Sequence, residues 1–224
     1  MKRTLVAGLV LALFLFGGSL EANATLLAPG YNNLTGTTVA LQPNLAGTVV
    51  EDETITFSFT NDSGLVQGIV QSRVVLSIDG TYDFYWRIRD TSSDDAGAMI
   101  GSLRIADFFT TIYNGDFRSD GLGNIGPDQA LLFSDPSGNP SGGINFIFSN
   151  GLNVSSSQES LFFFLDTDAI NYAKTAKFDL TGTGTGGISG QFDTYAPAPV
   201  PVPGTLLLLG SGILSLIGLR RRKD

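Results

Sequence analysis

The chemistry open to this chain rests on side-chain oxygens, because its 224 residues include no histidine and no cysteine. Serine–histidine and cysteine–histidine nucleophiles are therefore excluded, as are zinc sites built from imidazoles or thiolates. A pair of carboxylates remains as a means of hydrolysing glycosidic bonds. The acidic residues considered for such a pair are Glu51, Glu53, Glu159, Asp166 and Asp168. Nothing in their spacing fixes two of them at a working separation, so we expect a protein that is not an enzyme, with a polysaccharide hydrolase as the weakest alternative.

Calcium is the metal that an oxygen-rich loop of this chain would bind. Asp116, Asp120 and Asn124 fall at offsets that resemble an EF-hand loop, and we consider them as a possible calcium site. Arg118 and Pro127, however, stand where that loop places ligands, and no helices are predicted to flank the segment. A solvated turn is the simpler interpretation, and we expect no other cofactor.

Sugar recognition needs exposed aromatic rings that stack on the apolar face of a pyranose. Tyr85 is the best candidate, because alternation along its predicted strand places it on the polar face together with Arg87. Trp86, the only tryptophan, lies on the opposite, apolar face and is expected in the core. Tyr85 and Arg87 therefore form a possible sugar-binding site, and Tyr113 and Tyr195 are further surface candidates.

The elements that must position these side chains are predicted to be β-strands. Apolar and polar residues alternate at 55–60 and again at 144–148, which is typical of half-buried strands. A hairpin is predicted over 74–88, with Asp79-Gly80 as its turn. Further strands are predicted at 103–106, 108–113, 161–165, 177–180 and 188–194. Many short strands without an amphipathic helix favour one antiparallel, jelly-roll-like β-sandwich spanning residues 25–195.

The charge of this body excludes one class of partner. The chain has 13 Lys and Arg against 21 Asp and Glu, for a net charge of −8. Six of those cations lie in the two terminal segments, which contain only two of the acids, Glu21 and Asp224. The body therefore carries seven cations and nineteen acids, a net charge of −12. Such a surface repels nucleic acid. The absence of cysteine means that packing alone holds a body of about 175 residues.

The amino terminus has the pattern of a secretory signal peptide. Lys2 and Arg3 precede an apolar stretch at 5–16, and the small residues Ala22 and Ala24 form a cleavage site. We predict a signal peptide over residues 1–24, cut after Ala24 once the secretion translocon has engaged it.

The carboxyl terminus has the pattern of a membrane address. A Pro-rich linker is predicted at 196–205, a hydrophobic transmembrane helix at 206–219 and a basic cytoplasmic tail at 220–224. Fifteen residues from 205 to 219 give a helix of roughly 22 Å against a hydrocarbon core of about 30 Å, which suits temporary retention. A permanent single-span anchor is the main alternative. The basic stop consists of Arg220, Arg221, Arg222 and Lys223.

This two-ended arrangement resembles the PEP-CTERM family of exported bacterial proteins. The family signature Pro-Glu-Pro is matched by Pro201-Val202-Pro203, followed by Gly204, with Val202 in place of the glutamate. The resemblance implies processing by an exosortase, passage through the inner membrane, and a final place at the cell surface or in the extracellular matrix. It also implies a structural or adhesive role in biofilm or exopolysaccharide, and a carbohydrate-binding module is the alternative that we keep.

Overall fold

A computed structural model describes residues 24–61, 64–95, 97–154, 156, 158–183 and 186–199. Within these ranges the chain forms strands, one short 3₁₀ turn at Pro43–Leu45 and no α-helix. The strands are β1 (Thr25–Leu26), β2 (Gly30–Asn33), β3 (Gly47–Asn61), β4 (Gly64–Ser77), β5 (Tyr82–Ser93), β6 (Met99–Ala106), β7 (Asn114–Phe117), β8 (Gln129–Ser134), β9 (Pro140–Asn153), β10 (Phe163–Ala169), β11 (Tyr172–Gly182) and β12 (Phe192–Pro197).

The described strands form two six-stranded sheets, and all pairings between them are antiparallel. Sheet A has the order β1-β7-β10-β5-β4-β3, and sheet B has the order β12-β11-β6-β9-β8-β2. The predicted all-β, antiparallel class is thereby confirmed. A core shared by both sheets fits a β-sandwich, whereas jelly-roll connectivity stays a prediction.

The core lies between the two sheets and is rich in aromatic rings. Trp86 is fully buried there, as the alternation along β5 predicts. Its ring centroid lies 6.4 Å from that of Phe163 in sheet A and 6.3 Å from that of Phe146 in sheet B. The Trp86 indole N–H donates a 2.9 Å hydrogen bond to the Thr194 hydroxyl of β12, so a polar contact also joins the sheets. The inner faces of the sheets therefore pack as one unit.

The β4–β5 hairpin follows the prediction closely. Ser77 N–H donates to the Thr81 carbonyl, and the Asp79 carboxylate accepts hydrogen bonds from the Thr81 backbone and hydroxyl. Gly80 has φ +89°, a backbone conformation that glycine adopts without the cost of a Cβ. The turn therefore fixes the register in which Leu76 faces Tyr82 and Arg73 faces Tyr85.

The prediction of a strand over 108–113 is wrong. The Tyr113 hydroxyl donates to the Phe108 carbonyl at 2.9 Å and is 3.4 Å from the Thr110 N–H, so this segment satisfies its backbone through a side chain. Phe108 and Tyr113 are buried nevertheless. Their apolar spacing reflects packing at a sheet end and not a strand.

β12 continues two residues into the segment predicted as linker. Ala196 is fully buried and pairs with Ala173, and Pro197 pairs with Tyr172. Beyond the strand, Asn171 accepts from the Ala198 N–H through its carbonyl and donates to the Pro199 carbonyl through its side chain. The body therefore holds the chain as far as Pro199.

A segment that we call the strap, residues 34–46, crosses the outer face of sheet A. Thr37 forms a parallel bridge with Arg118, and its N–H donates to the Phe117 carbonyl at 2.9 Å. Farther along, Gln42 and Asn44 both donate to the Asp166 carboxylate of β10. The strap therefore covers a face that strand alternation alone would leave in solvent.

The predictions for both chain ends fall largely outside the described residues. These are the signal peptide, the sorting residues Pro201 to Gly204, the transmembrane helix and the basic tail. A search of the described ranges finds no helix with the length and apolarity needed to cross a membrane. Ala24 is described, and its N–H donates to the Gln42 side chain at 2.7 Å. Cleavage after Ala24 stays a prediction, and it would release this contact.

Candidate functional site

The outer face of sheet A holds Tyr85 and Arg87, as predicted, but it is not open to solvent. Tyr85 is 4% exposed and Arg87 is 7% exposed. Tyr85 packs in a second small core on this face with Leu45, Val75, Phe162 and Phe164. The expectation that Tyr85 presents an open ring for stacking is therefore wrong. The reason is that the strap and the segment before β10 cover the face.

A pocket of about 230 Å³ opens on this covered face, and we call it the arginine pocket. Strands β3, β4 and β5 form its floor, while the strap and the loop after β7 form its walls. Its lining residues are Leu45, Gly47, Val49, Arg73, Val75, Tyr85, Arg118, Gly121, Leu122 and Phe162. Arg73 and Tyr85 are direct cross-strand partners, so the hairpin register brings them onto one face.

Both arginines of the pocket are held by carboxylates outside its lining. Arg73 pairs with Asp52 at 2.9 Å, and Arg118 Nε donates to Asp120 at 2.7 Å. The hydrogen bond from Arg118 lowers the pKa of the Asp120 carboxyl, with the Val39 N–H acting in the same direction. The carboxylates thus fix the direction of each guanidinium and leave other N–H groups available. Arg73 Nε is one of these, since it is buried without an acceptor among the described residues.

The Tyr85 hydroxyl is buried and has no hydrogen-bond partner within the described part of the chain. Burial raises the pKa of the phenol, and the nearby Asp83 carboxyl adds to this rise. The Arg118 guanidinium lies near enough to oppose it, but no hydrogen bond of normal geometry joins the two groups. Since Tyr85 lines the pocket, its hydroxyl is a polar group that could hydrogen-bond a ligand there.

Phe162 organises the cations around the pocket. The guanidinium carbons of Arg73 and Arg87 lie 4.5 and 5.7 Å from its ring centroid, within the range of cation–π attraction. Its backbone carbonyl accepts a hydrogen bond from the backbone N–H of Arg118 at 2.7 Å. Arg87 itself pairs with Glu159 and does not line the pocket. Of the two predicted sugar-binding residues, the structure therefore brings only Tyr85 to the pocket.

Sequence reasoning missed Arg73, Arg118 and Phe162 as members of this site. A signal for Arg73 was present, because the Asp79-Gly80 turn fixes the register that pairs it with Tyr85. Arg118 and Phe162 come from separate loops, and no local pattern connects them to that hairpin.

A carboxyl pair lies on the same face of sheet A, beneath the strap. Asp83 is fully buried and lies beside Asp166, which is 7% exposed. Burial, followed by the charge of Asp166, raises the pKa of Asp83 to about 9. Burial also raises the pKa of Asp166, although the neighbouring Asp83 carboxyl and the Asn44 amide oppose this. A pKa of about 9 makes Asp83 a neutral acid at pH 7, and its two carboxyl oxygens have no hydrogen-bond partner among the described residues.

The residues considered for calcium have separate structural partners. Asp116 is fully buried and accepts from the Gly36 and Phe117 N–H groups at 2.8 and 2.9 Å. Asp120 binds Arg118, and the Asn124 side chain accepts from the Glu159 N–H. A search of the described residues finds no group of three or more acids that could hold a metal ion. The predicted calcium loop thus forms turn and strap contacts.

The carboxylates considered for hydrolysis are distributed over several surfaces. Glu51 accepts from two tyrosine hydroxyls, those of Tyr172 and Tyr195, and Glu53 pairs with Lys174. The partners of the others are Arg87 for Glu159, Gln42 and Asn44 for Asp166, and Thr110 and Thr111 for Asp168. Each carboxylate has a structural contact of its own.

The two further tyrosines considered for sugar recognition are not open aromatic surfaces. Tyr113 is buried, and Tyr195 is half-buried beneath the Lys174 ammonium.

Comparison with known protein families identifies a sorting motif in the tail. Residues 199–223 match the family profile of the PEP-CTERM protein-sorting motif. No curated protein and no solved structure gives a significant match to the chain. The matched tail implies an exported protein that is processed at the membrane. The tail of the chain therefore carries a PEP-CTERM sorting motif, which implies processing by an exosortase.

Proposed function

We propose that this protein serves, without catalysis, as a structural or adhesive component of the cell surface or the extracellular matrix. The observation that carries the proposal is the sorting motif at residues 199–223. The body that precedes it is acidic, at a net −12 between the two terminal segments, which favours solubility and excludes nucleic acid as a partner. No cofactor is needed for this role.

The proposed route has two cleavages. The translocon exports the chain and the signal peptide is removed after Ala24, while the hydrophobic helix at 206–219 holds the tail in the inner membrane. Exosortase then cuts near Pro201–Gly204 and releases the body. The first cut falls immediately before β1, which begins at Thr25. The second falls beyond Pro199, which is still held by Asn171, so both cuts lie outside the described strands.

The test is to follow the chain in a Gram-negative host that contains its exosortase. Mass spectrometry of the exported protein should find an amino terminus at Thr25 and a carboxyl terminus within or just after Pro201–Gly204. Deleting residues 200–224 should abolish surface delivery. Val202→Glu, which restores the family signature, is the matched control and should be processed at least as well as the natural chain.

Equal delivery of the truncated chain would contradict the sorting role of the tail. An exported chain that retains Arg220 to Lys223 in a host with active exosortase would instead support the permanent membrane anchor. The two outcomes are distinguished by the mass of the carboxyl-terminal peptide.

A second function, carbohydrate binding, is favoured by the arginine pocket. Its lining combines apolar side chains with two guanidinium groups and a phenol, which is the mixed character of a small-ligand site. Because Tyr85 is buried, Tyr85→Ala would remove core packing, and Tyr85→Phe is the variant that tests binding. Retention of the exported protein on its own exopolysaccharide, and its loss in Tyr85→Phe, is the expected result.

A further inference from the structure

The charged residues that line the arginine pocket are basic, whereas the body around it is rich in acids. The body has nineteen acids and seven cations, yet among the described residues that line the pocket there are two arginines and no acid. A third arginine, Arg87, has its guanidinium carbon 5.7 Å from the Phe162 ring centroid and does not line the pocket. Although each of these arginines is paired with a carboxylate outside the lining, the guanidinium N–H groups in the lining favour an anionic ligand group over a cationic one.

The donors in and around this pocket are poised for an acceptor. Arg73 binds Asp52 through Nη2 and leaves Nε without an acceptor, while Arg118 binds Asp120 through Nε. The Tyr85 hydroxyl, in a side chain that is 4% exposed, also has no partner among the described residues. Guanidinium groups match the planar, two-oxygen geometry of a carboxylate. The three donors together therefore fit a ligand that carries one carboxylate next to hydroxyl groups.

The rest of the pocket is apolar and small. Phe162, Leu45 and Leu122 are among its lining residues, and they offer surface to the C–H face of a ring. Its volume of about 230 Å³ is below the range of about 300–1,000 Å³ that is typical of drug-sized ligand sites. The pocket therefore suits one sugar ring, such as a chain end or a side branch, and not several residues of a polymer.

We propose that the arginine pocket binds a uronic acid residue of an acidic polysaccharide. The sugar carboxylate accepts hydrogen bonds from Arg118 and Arg73, a ring hydroxyl or carboxylate oxygen accepts from Tyr85, and the C–H face packs on Phe162. This inference deepens the carbohydrate-binding function proposed above and rests on it. It adds the class of sugar and the residues that select it.

The experiment uses the processed protein purified from the exporting cells and two probes, methyl glucuronide and methyl glucoside. These sugars differ only in the carboxylate, so isothermal titration measures its contribution directly. We expect the glucuronide to bind at least about tenfold more tightly than the glucoside. Tyr85→Phe and Arg118→Gln should each weaken glucuronide binding by about tenfold, the effect of losing one hydrogen bond to a charged acceptor. Lys177→Gln removes one charge from sheet B, far from the pocket, and should leave binding unchanged.

Other outcomes overturn the proposal. Equal binding of both sugars would exclude carboxylate recognition, and equal binding of acetate or inorganic phosphate would identify a general anion site. Glucuronide binding that Tyr85→Phe and Arg118→Gln leave unchanged would place the site elsewhere, although sugar binding itself would stand. If the processed protein binds neither the probes nor its own exopolysaccharide, the pocket assignment and the carbohydrate-binding function both fail. Circular dichroism of each variant confirms that the fold is retained.

Discussion

The buried acid Asp83 makes the stability of the body depend on pH in an unusual direction. Its folded-state pKa is about 9, raised by burial and by Asp166, against 3.8 for the group in a model peptide. Folding above pH 4 therefore requires uptake of a proton, so stability that is fully present below pH 4 is lost as pH rises toward 9. Paired surface acids such as Asp52 and Asp120, whose pKa values are lowered, act in the opposite direction.

Asp83→Asn isolates this effect from the other acids. The Asn amide is neutral at every pH and has nearly the same size and shape as the protonated acid. At about 1.4 kcal/mol for each pH unit above the unfolded pKa, the variant gains up to about 4 kcal/mol over the natural chain at pH 7. At pH 4 the two proteins should be nearly equal in stability.

The assay is urea unfolding, followed by the fluorescence of Trp86, at several pH values between 4 and 8.5. The difference in unfolding free energy between Asp83→Asn and the natural chain should grow steadily with pH. Asp193→Asn is the control, because this exposed carboxyl pairs with Lys177, which lowers its pKa. A constant offset between Asp83→Asn and the natural chain at all pH values would refute the reasoning, since Asp83 would then have the same pKa in both states.

Two further changes test the packing between and around the sheets. Thr194→Val leaves the Trp86 indole N–H and the Ser72 hydroxyl without their shared hydrogen-bond partner. The variant should lower the unfolding free energy by about 1–3 kcal/mol. An unchanged urea midpoint would show that water replaces the contact. Gly123→Ala adds a Cβ 2.0 Å from the Ser160 carbonyl oxygen at φ +109°, and should destabilise by more than about 1 kcal/mol. Gly80→Ala, where a Cβ meets open space, is its control and should cost less.

Strand alternation predicted the two faces of β5 correctly. Trp86 lies in the core and Tyr85 lies on the other face, as the period of two requires. Alternation, however, reports which residues share a face and says nothing of what covers that face. The strap has no periodic pattern, and its contacts reach across more than a hundred residues, as between Gln42 and Asp166. This long-range contact explains why Tyr85 was expected in solvent and is buried.

The acidic residues show a second limit of local patterns. Asp116, Asp120 and Asn124 have the spacing of a metal loop, but backbone N–H groups and Arg118 are their partners. The pair that is electrostatically most unusual, Asp83 and Asp166, joins β5 to β10 and has no sequence signature. The sorting motif was predictable for the opposite reason, because its proline, apolar and basic parts are consecutive in the sequence.

The junction between body and tail is located by the pairing of β12 in the structure and by the start of the matched motif in the sequence. β12 is an edge strand of sheet B, and its last residues pair with β11, where Ala196 is fully buried. The matched motif begins at Pro199, whose carbonyl is still bound by Asn171. The proposed cut near Pro201–Gly204 would therefore leave every described strand and the described core in the body. Because no described strand would need to unfold, the proposed processing is compatible with a folded body, and a released protein would keep the arginine pocket on sheet A.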